Sequence, residues 1–350
     1  MILYSGMLAL LFAGMILLGC EKEDTDHSSF MSVYETTCLK GICALAVVLC
    51  HIYAYYNQGI AMKVFNKSAF IPVAMFFLFT GYGLIVSVEN KKNYLDGFLI
   101  NRLGKLYLPL WGSLVINEAL RFLLNSKREY SLLTIIRDIS GLNAVWFFAV
   151  IIVYYLAFFS IWKITEGKGA VNILILFTVL QCIACCLLNM GKQYYTSSFG
   201  FVFGMLLAKE KKNNFANLKR RIYTVKENRL FQFLLMTIVA VSAAAYSRYH
   251  DAVFIGQFML RNLLGIVIVS AILFFLYYYK IGNHISETLG RYSYEIYLLH
   301  PTVILVVRTG RLCTLPSWCQ VAIIFAITIA EAAILHEMCK RFFSLTLKKG

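Results

Sequence analysis

The chain has 350 residues, 60% hydrophobic and 15% charged, with a formal charge of +15 and a mean hydropathy of +0.70. No polar stretch of about 50 residues interrupts its apolar runs, which excludes a separate soluble domain. The positive charge does not point to nucleic acid, because the largest basic cluster, Lys209 through Lys219, Arg220 and Arg221 to Arg229, lies between two apolar runs. That is the placement of a cytoplasmic loop.

The apolar runs predict eleven spans, at about 1–20, 38–56, 69–88, 106–124, 144–162, 171–190, 196–208, 230–247, 257–279, 292–309 and 317–338. Continuous runs with little Pro are helices rather than barrel strands. The expected fold is therefore all-α: a polytopic helical membrane protein of about eleven transmembrane helices. With the N-terminus outside, the intervening inside segments hold 22 Lys and Arg and the outside segments 8. This bias predicts a multi-pass protein of the inner or plasma membrane, with Met1 outside and the C-terminus cytoplasmic. Trp111, Trp146, Trp162 and Trp318 fall near span ends, as interfacial anchors do.

In the first span, Leu17-Leu18-Gly19-Cys20 looks like a lipoprotein cleavage box. Yet residues 1–19 contain no Lys or Arg, so the positive region of a signal peptide is missing. Cleavage after export would also reverse the charge bias. An uncleaved N-terminal helix over 1–20 is expected instead.

The second span carries Lys40 and His51. Eleven residues at 100° each amount to three turns plus about 20°, so both side chains leave one helix face about 16 Å apart along the axis. An ionisable residue inside a bilayer is costly and points to function. A cation at the surface can hold an anion, and an imidazole deeper in can act as a base. Further along, Phe76-Phe77-Leu78-Phe79-Thr80-Gly81-Tyr82-Gly83 reads as close helix packing with a hydroxyl. Arg102 and Lys105 share a cytoplasmic helix face, and Glu118 and Arg121 are spaced to pair.

Cys182-Ile183-Ala184-Cys185-Cys186 has a ligand-like spacing but no matching second pair, so no metal site is expected. Cys313 and Cys319 flank a short loop, as free thiols or a disulfide. Arg261, Glu331 and His336 need partners that spacing does not supply. Tyr297 and His300 share a face beside Pro301, which frees a backbone carbonyl and suits the wall of a cavity.

Taken in order, these segments resemble bacterial integral-membrane acyltransferase family three. The family's basic residue, ten residues and His are matched by Lys40 and His51, with Lys in place of the usual Arg. Its Phe-Phe-x-Leu-Ser-Gly-Phe is similar to Phe76 through Tyr82, with Thr80 in the Ser place. Its basic pair before a Pro-containing helix resembles Arg102 and Lys105 before Pro109. Trp146-Phe147 through Tyr154-Tyr155 resembles its Trp-led run. Gly290, Ser293, Tyr294, Tyr297, Leu298, His300 and Pro301 match its C-terminal motif. The similarity covers about 36–340, which leaves 1–20 as an additional helix, a ten-helix core, and a short basic cytoplasmic tail at 341–350.

The resemblance implies transfer of an acyl group, often acetyl, from cytoplasmic acyl-CoA to a hydroxyl or amine of a surface glycan or its lipid-linked precursor. His51 would be catalytic and Lys40, Arg102 and Lys105 would bind acyl-CoA. Thr80, Trp146, Tyr297 and His300 would line the cavity or a second site. Acyl-CoA is a co-substrate, and no resident cofactor is implied. Partners would be the glycan acceptor and membrane lipids. As the chain ends at Gly350, transfer outside would need the membrane domain itself or a separate extracytoplasmic partner. The alternative from a different class is a transporter of a lipid-linked sugar or an anionic metabolite, using the same cations without a base.

Overall fold

A computed structural model describes residues 10, 12–23, 27, 29–56, 66–125, 129–141, 146–227, 229–249 and 252–346. Residues 1–9 and 11 of the expected first span, residues 57–65, 126–128 and 142–143, residues 144–145 of the expected fifth span, and 347–350 of the expected tail lie outside them. The structure is an all-α membrane protein. Among the described residues, six helices are long and apolar enough to cross a bilayer: Val33–Tyr56, Phe70–Asn90, Trp146–Thr165, Ala170–Leu187, Val253–Tyr278 and Ser317–Ser344.

The described chain begins with a helical turn over residues 12–17 and strand β1 (Cys20–Lys22). Helices α1 (Val33–Tyr56), α2 (Phe70–Asn90), α3 (Phe98–Leu123), α4 (Leu132–Ser140), α5 (Trp146–Thr165), α6 (Ala170–Leu187), α7 (Phe199–Glu227) and α8 (Arg229–Tyr249) follow. A π-helical segment over Val253–Leu260 leads into α9 (Arg261–Tyr278), then β2 (Tyr279–Ile281), α10 (His284–Arg291), α11 (Ser293–Thr309) and α12 (Ser317–Thr346). Each expected span from 38 onward falls on a helix, and β1 pairs with β2 as a two-stranded sheet.

Two expectations change. The basic stretch after Ala208 is helix rather than loop, because α7 runs unbroken to Glu227. It holds Lys, Arg, Leu, Ala and Glu and no Gly or Pro, so nothing in it stops a helix. The segment before the fifth span contains α4, which Ser131 caps through Thr134 and Gly141 ends at φ +79°.

The chain forms two units. In the first (residues 1–69, 100–152 and 280–350), α1 packs against α10 and α11, and α11 against α12. Ser32 starts α1 by accepting the Glu35 N–H at 3.1 Å, while the Glu35 carboxylate accepts the Met31 N–H at 2.8 Å. A Cβ on Gly41 would overlap the Ser286 carbonyl oxygen, and one on Gly290 the Thr37 carbonyl oxygen, so α1 and α10 touch backbone to backbone.

In the second unit (residues 70–99 and 153–279), α2 packs against α7 and α9. A Cβ on Gly81, Gly200 or Gly204 would overlap the carbonyl oxygen of Phe201, Ala74 or Leu78. Cys182, Cys185 and Cys186 sit in an apolar cluster with Tyr195 and Phe258. Arg261 lies over the rings of Phe70 and Tyr246, at 5.3 and 5.5 Å from their centroids. Cys313 and Cys319, in the first unit, are both free thiols.

Candidate active site

Helix α1 carries two of the expected groups and fixes their spacing. Lys40 is half-buried in its N-terminal half, and His51 follows about 16 Å along the same face. The structure sets Arg102 of α3 within electrostatic range of Lys40. Two cations held close repel each other unless an anion lies between them, and phosphate suits both. Lys105 is exposed three residues beyond Arg102. The contact between α1 and α10 at Gly41 holds the Lys40 end of this face in place.

The other end meets α11. The His51 and His300 rings lie 4.9 Å apart between centroids, tilted by 56°. His51 is open to approach, whereas His300 is only 1% exposed. Aromatic contacts continue away from the pair: Tyr297 lies 5.9 Å from His300, Phe147 5.4 Å from Tyr297, and Trp146 5.9 Å from Phe147. Four expected residues, His51, His300, Tyr297 and Trp146, therefore belong to one connected cluster in the first unit. Phe147 completes it, although the sequence marked that residue only as a neighbour of Trp146.

Thr80 belongs to the second unit, where its hydroxyl donates to the Phe76 carbonyl of its own helix at 2.9 Å. Glu118 and Arg121 do pair, at 3.7 Å, and Tyr130 also donates to Glu118. His336 of α12 finds the partner that spacing did not reveal. Its Nδ1 lies 3.0 Å from the Glu295 carboxylate, and the Tyr292 ring is 5.0 Å away. Glu295 sits inside the C-terminal motif, so the motif was visible while the contact was not.

An apolar cavity of about 560 Å³ opens elsewhere, lined by Leu18, Leu45, Leu49, Leu289 and Phe325 among others. Leu45 and Leu49 lie about 140° and 180° around α1 from Lys40. That cavity has no cation for a phosphate and belongs to the opposite side of the helix from the histidine.

The helices and this two-histidine cluster, one ring buried and the other accessible, define a polytopic membrane protein with a site suited to acid–base chemistry. A family model described as an acyltransferase domain matches residues 33–337, and the chain belongs to that family, acyltransferase family three. Neither the curated proteins nor the solved structures contain a match to it. The protein is thus a membrane acyltransferase, and membership in an enzyme family decides against the transporter reading.

Proposed function

We propose that this acyltransferase takes its acyl group, acetyl in the simplest case, from cytoplasmic acyl-CoA. The acceptor is a hydroxyl or amine of a surface glycan or of its lipid-linked precursor. The observation that carries this reading is the α1 face, with a pair of cations at one end and an accessible imidazole at the other. CoA is a polyanion joined by a long pantetheine arm to a thioester. Lys40 and Arg102 hold its phosphates, with Lys105 at the rim, and the arm runs toward His51.

His51 then removes the proton from the acceptor hydroxyl as its oxygen attacks the thioester carbonyl. The tetrahedral intermediate collapses with loss of the CoA thiolate, which takes the proton back from His51. The products are an ester and free CoA. The excess of Lys and Arg in the inside segments supports a cytoplasmic site for Lys40. Acceptor access from the other side, or a separate transfer partner, follows for glycans finished outside.

The test uses the whole protein in lipid vesicles with radiolabelled acetyl-CoA and a total lipid-linked glycan fraction. Label moving to the glycan with release of one CoA per acyl group supports the reading. A folded wild-type protein that moves no label from acetyl-CoA, yet acylates the glycan from another donor, overturns it. Mass spectrometry of surface glycans from cells with and without the protein identifies the acceptor.

A further inference from the structure

His300 is more than part of the wall. Pro301 has no N–H, so α11 lacks the backbone bond that would tie up the Tyr297 carbonyl, on the turn that carries His300. The His300 Nδ1 lies 3.0 Å from the Ile296 carbonyl oxygen. A carbonyl can only accept, so Nδ1 carries the proton. In the neutral ring Nε2 is then a bare acceptor. It is fully buried and has no hydrogen-bond partner among the described residues. A buried acceptor left unpaired is costly. With the rings 4.9 Å apart, a small side-chain rotation brings an N–H of His51 onto it.

We infer that His300 is the positioning residue for His51: its Nε2 accepts the N–H of His51 and so fixes which His51 nitrogen is free to take the acceptor's proton. This rests on the reading of His51 as the base. It adds that the base is oriented by a second neutral imidazole rather than by a carboxylate. The usual orienting group in such pairs is a carboxylate or backbone carbonyl. A neutral acceptor orients the ring without placing a negative charge beside the oxyanion that forms at the thioester carbonyl.

Two substitutions separate the two nitrogens of His300. His300→Asn keeps a donor for the Ile296 carbonyl and removes the acceptor at the Nε2 position. His300→Gln does the reverse, placing a carboxamide oxygen near the lost Nε2. Positioning predicts that His300→Asn lowers kcat by about 10²-fold with the KM for acyl-CoA changed less than about 2-fold, and that His300→Gln stays within about 10-fold of wild type. A purely structural role in α11 predicts the opposite order, and that order, or equal loss in both, overturns the inference. Selective ¹⁵N-histidine labelling gives an independent readout. His51 should show one tautomer in the wild type and in His300→Gln, and a mixture in His300→Asn. Unchanged His51 signals in His300→Asn also overturn it. If His51→Ala itself retains activity, the proposed function fails first. If His51→Ala is inactive while His300→Asn is normal, only this inference fails.

Discussion

Two helix crossings in this protein are built the same way and do different work. In the first unit α1 meets α10 through Gly41 and Gly290, and in the second α2 meets α7 through Gly81, Gly200 and Gly204. All five positions bring backbone against backbone, so neither crossing tolerates a side chain. At the first crossing the glycine sits beside Lys40, on the helix that carries His51 one face-repeat later. At the second, Thr80 adjoins Gly81, and its hydroxyl is satisfied by Phe76. Close packing therefore does not mark a reactive site. What sets the first unit apart is two imidazole rings 4.9 Å apart, one of them with a buried Nε2 that packing leaves unpaired.

The largest effects test what the crossings share. Gly41→Leu and Gly81→Leu each force a side chain into a backbone carbonyl. Both should cost more than about 4 kcal/mol and remove folded protein from the membrane, measured by detergent-extracted yield and gel filtration. A well-folded, active Gly81→Leu would show that the second crossing is looser than its geometry.

The next effect tests how the crossings differ. His51→Ala should leave the protein extractable and able to bind acyl-CoA, while transfer falls by about 10²–10⁴-fold. Activity within a few-fold of wild type would make the first crossing as purely structural as the second.

The sequence revealed one half of this contrast well. Hydropathy located the helices because a bilayer demands about 20 apolar residues at a time. Helical periodicity put Lys40 and His51 on one face because that arithmetic stays within a single element. It could not show that α11 brings His300 to His51, or α12 brings His336 to Glu295. Periodicity reports which side chains share a face, but not which faces meet. It also misread the stretch after Ala208, where a charge signal for a cytoplasmic segment was taken as a signal for loop. Charge locates a segment relative to the membrane, whereas Gly and Pro decide whether a helix ends. Thr80 was drawn toward the site by its motif, and only its hydrogen bond shows where its hydroxyl is directed.

A smaller effect concerns the cation end of α1. A phosphate far from the thioester is held equally in the ground and transition states, so Lys40→Gln should mainly raise the KM for acyl-CoA, by about 10-fold, with kcat little changed. Lys40→Arg should keep or improve that KM, since the guanidinium offers a fork that matches phosphate. Saturating acyl-CoA should rescue Lys40→Gln and not His51→Ala. A Lys40→Gln enzyme with an unchanged acyl-CoA dependence would reduce Lys40 to a marker of the membrane surface.

The smallest expected effect is the most discriminating, because it falls on the residue whose motif and environment disagree. Thr80 stands where the family motif has Ser, which invites a catalytic reading of its hydroxyl. In the structure that hydroxyl donates to the Phe76 carbonyl, 2.9 Å away and one turn back. That carbonyl already belongs to the helix ladder, so the bond satisfies the hydroxyl without holding anything else in place. Val has nearly the shape of Thr and lacks only the donor. Thr80→Val should therefore keep transfer within about 2-fold and change stability by about 1 kcal/mol at most, the usual net worth of one hydrogen bond. Thr80→Ser should do no better than Thr80→Val. A loss of about 10²-fold in Thr80→Val that Thr80→Ser restores would mean the hydroxyl leaves Phe76 during turnover to touch a substrate, and both crossings would then carry chemistry.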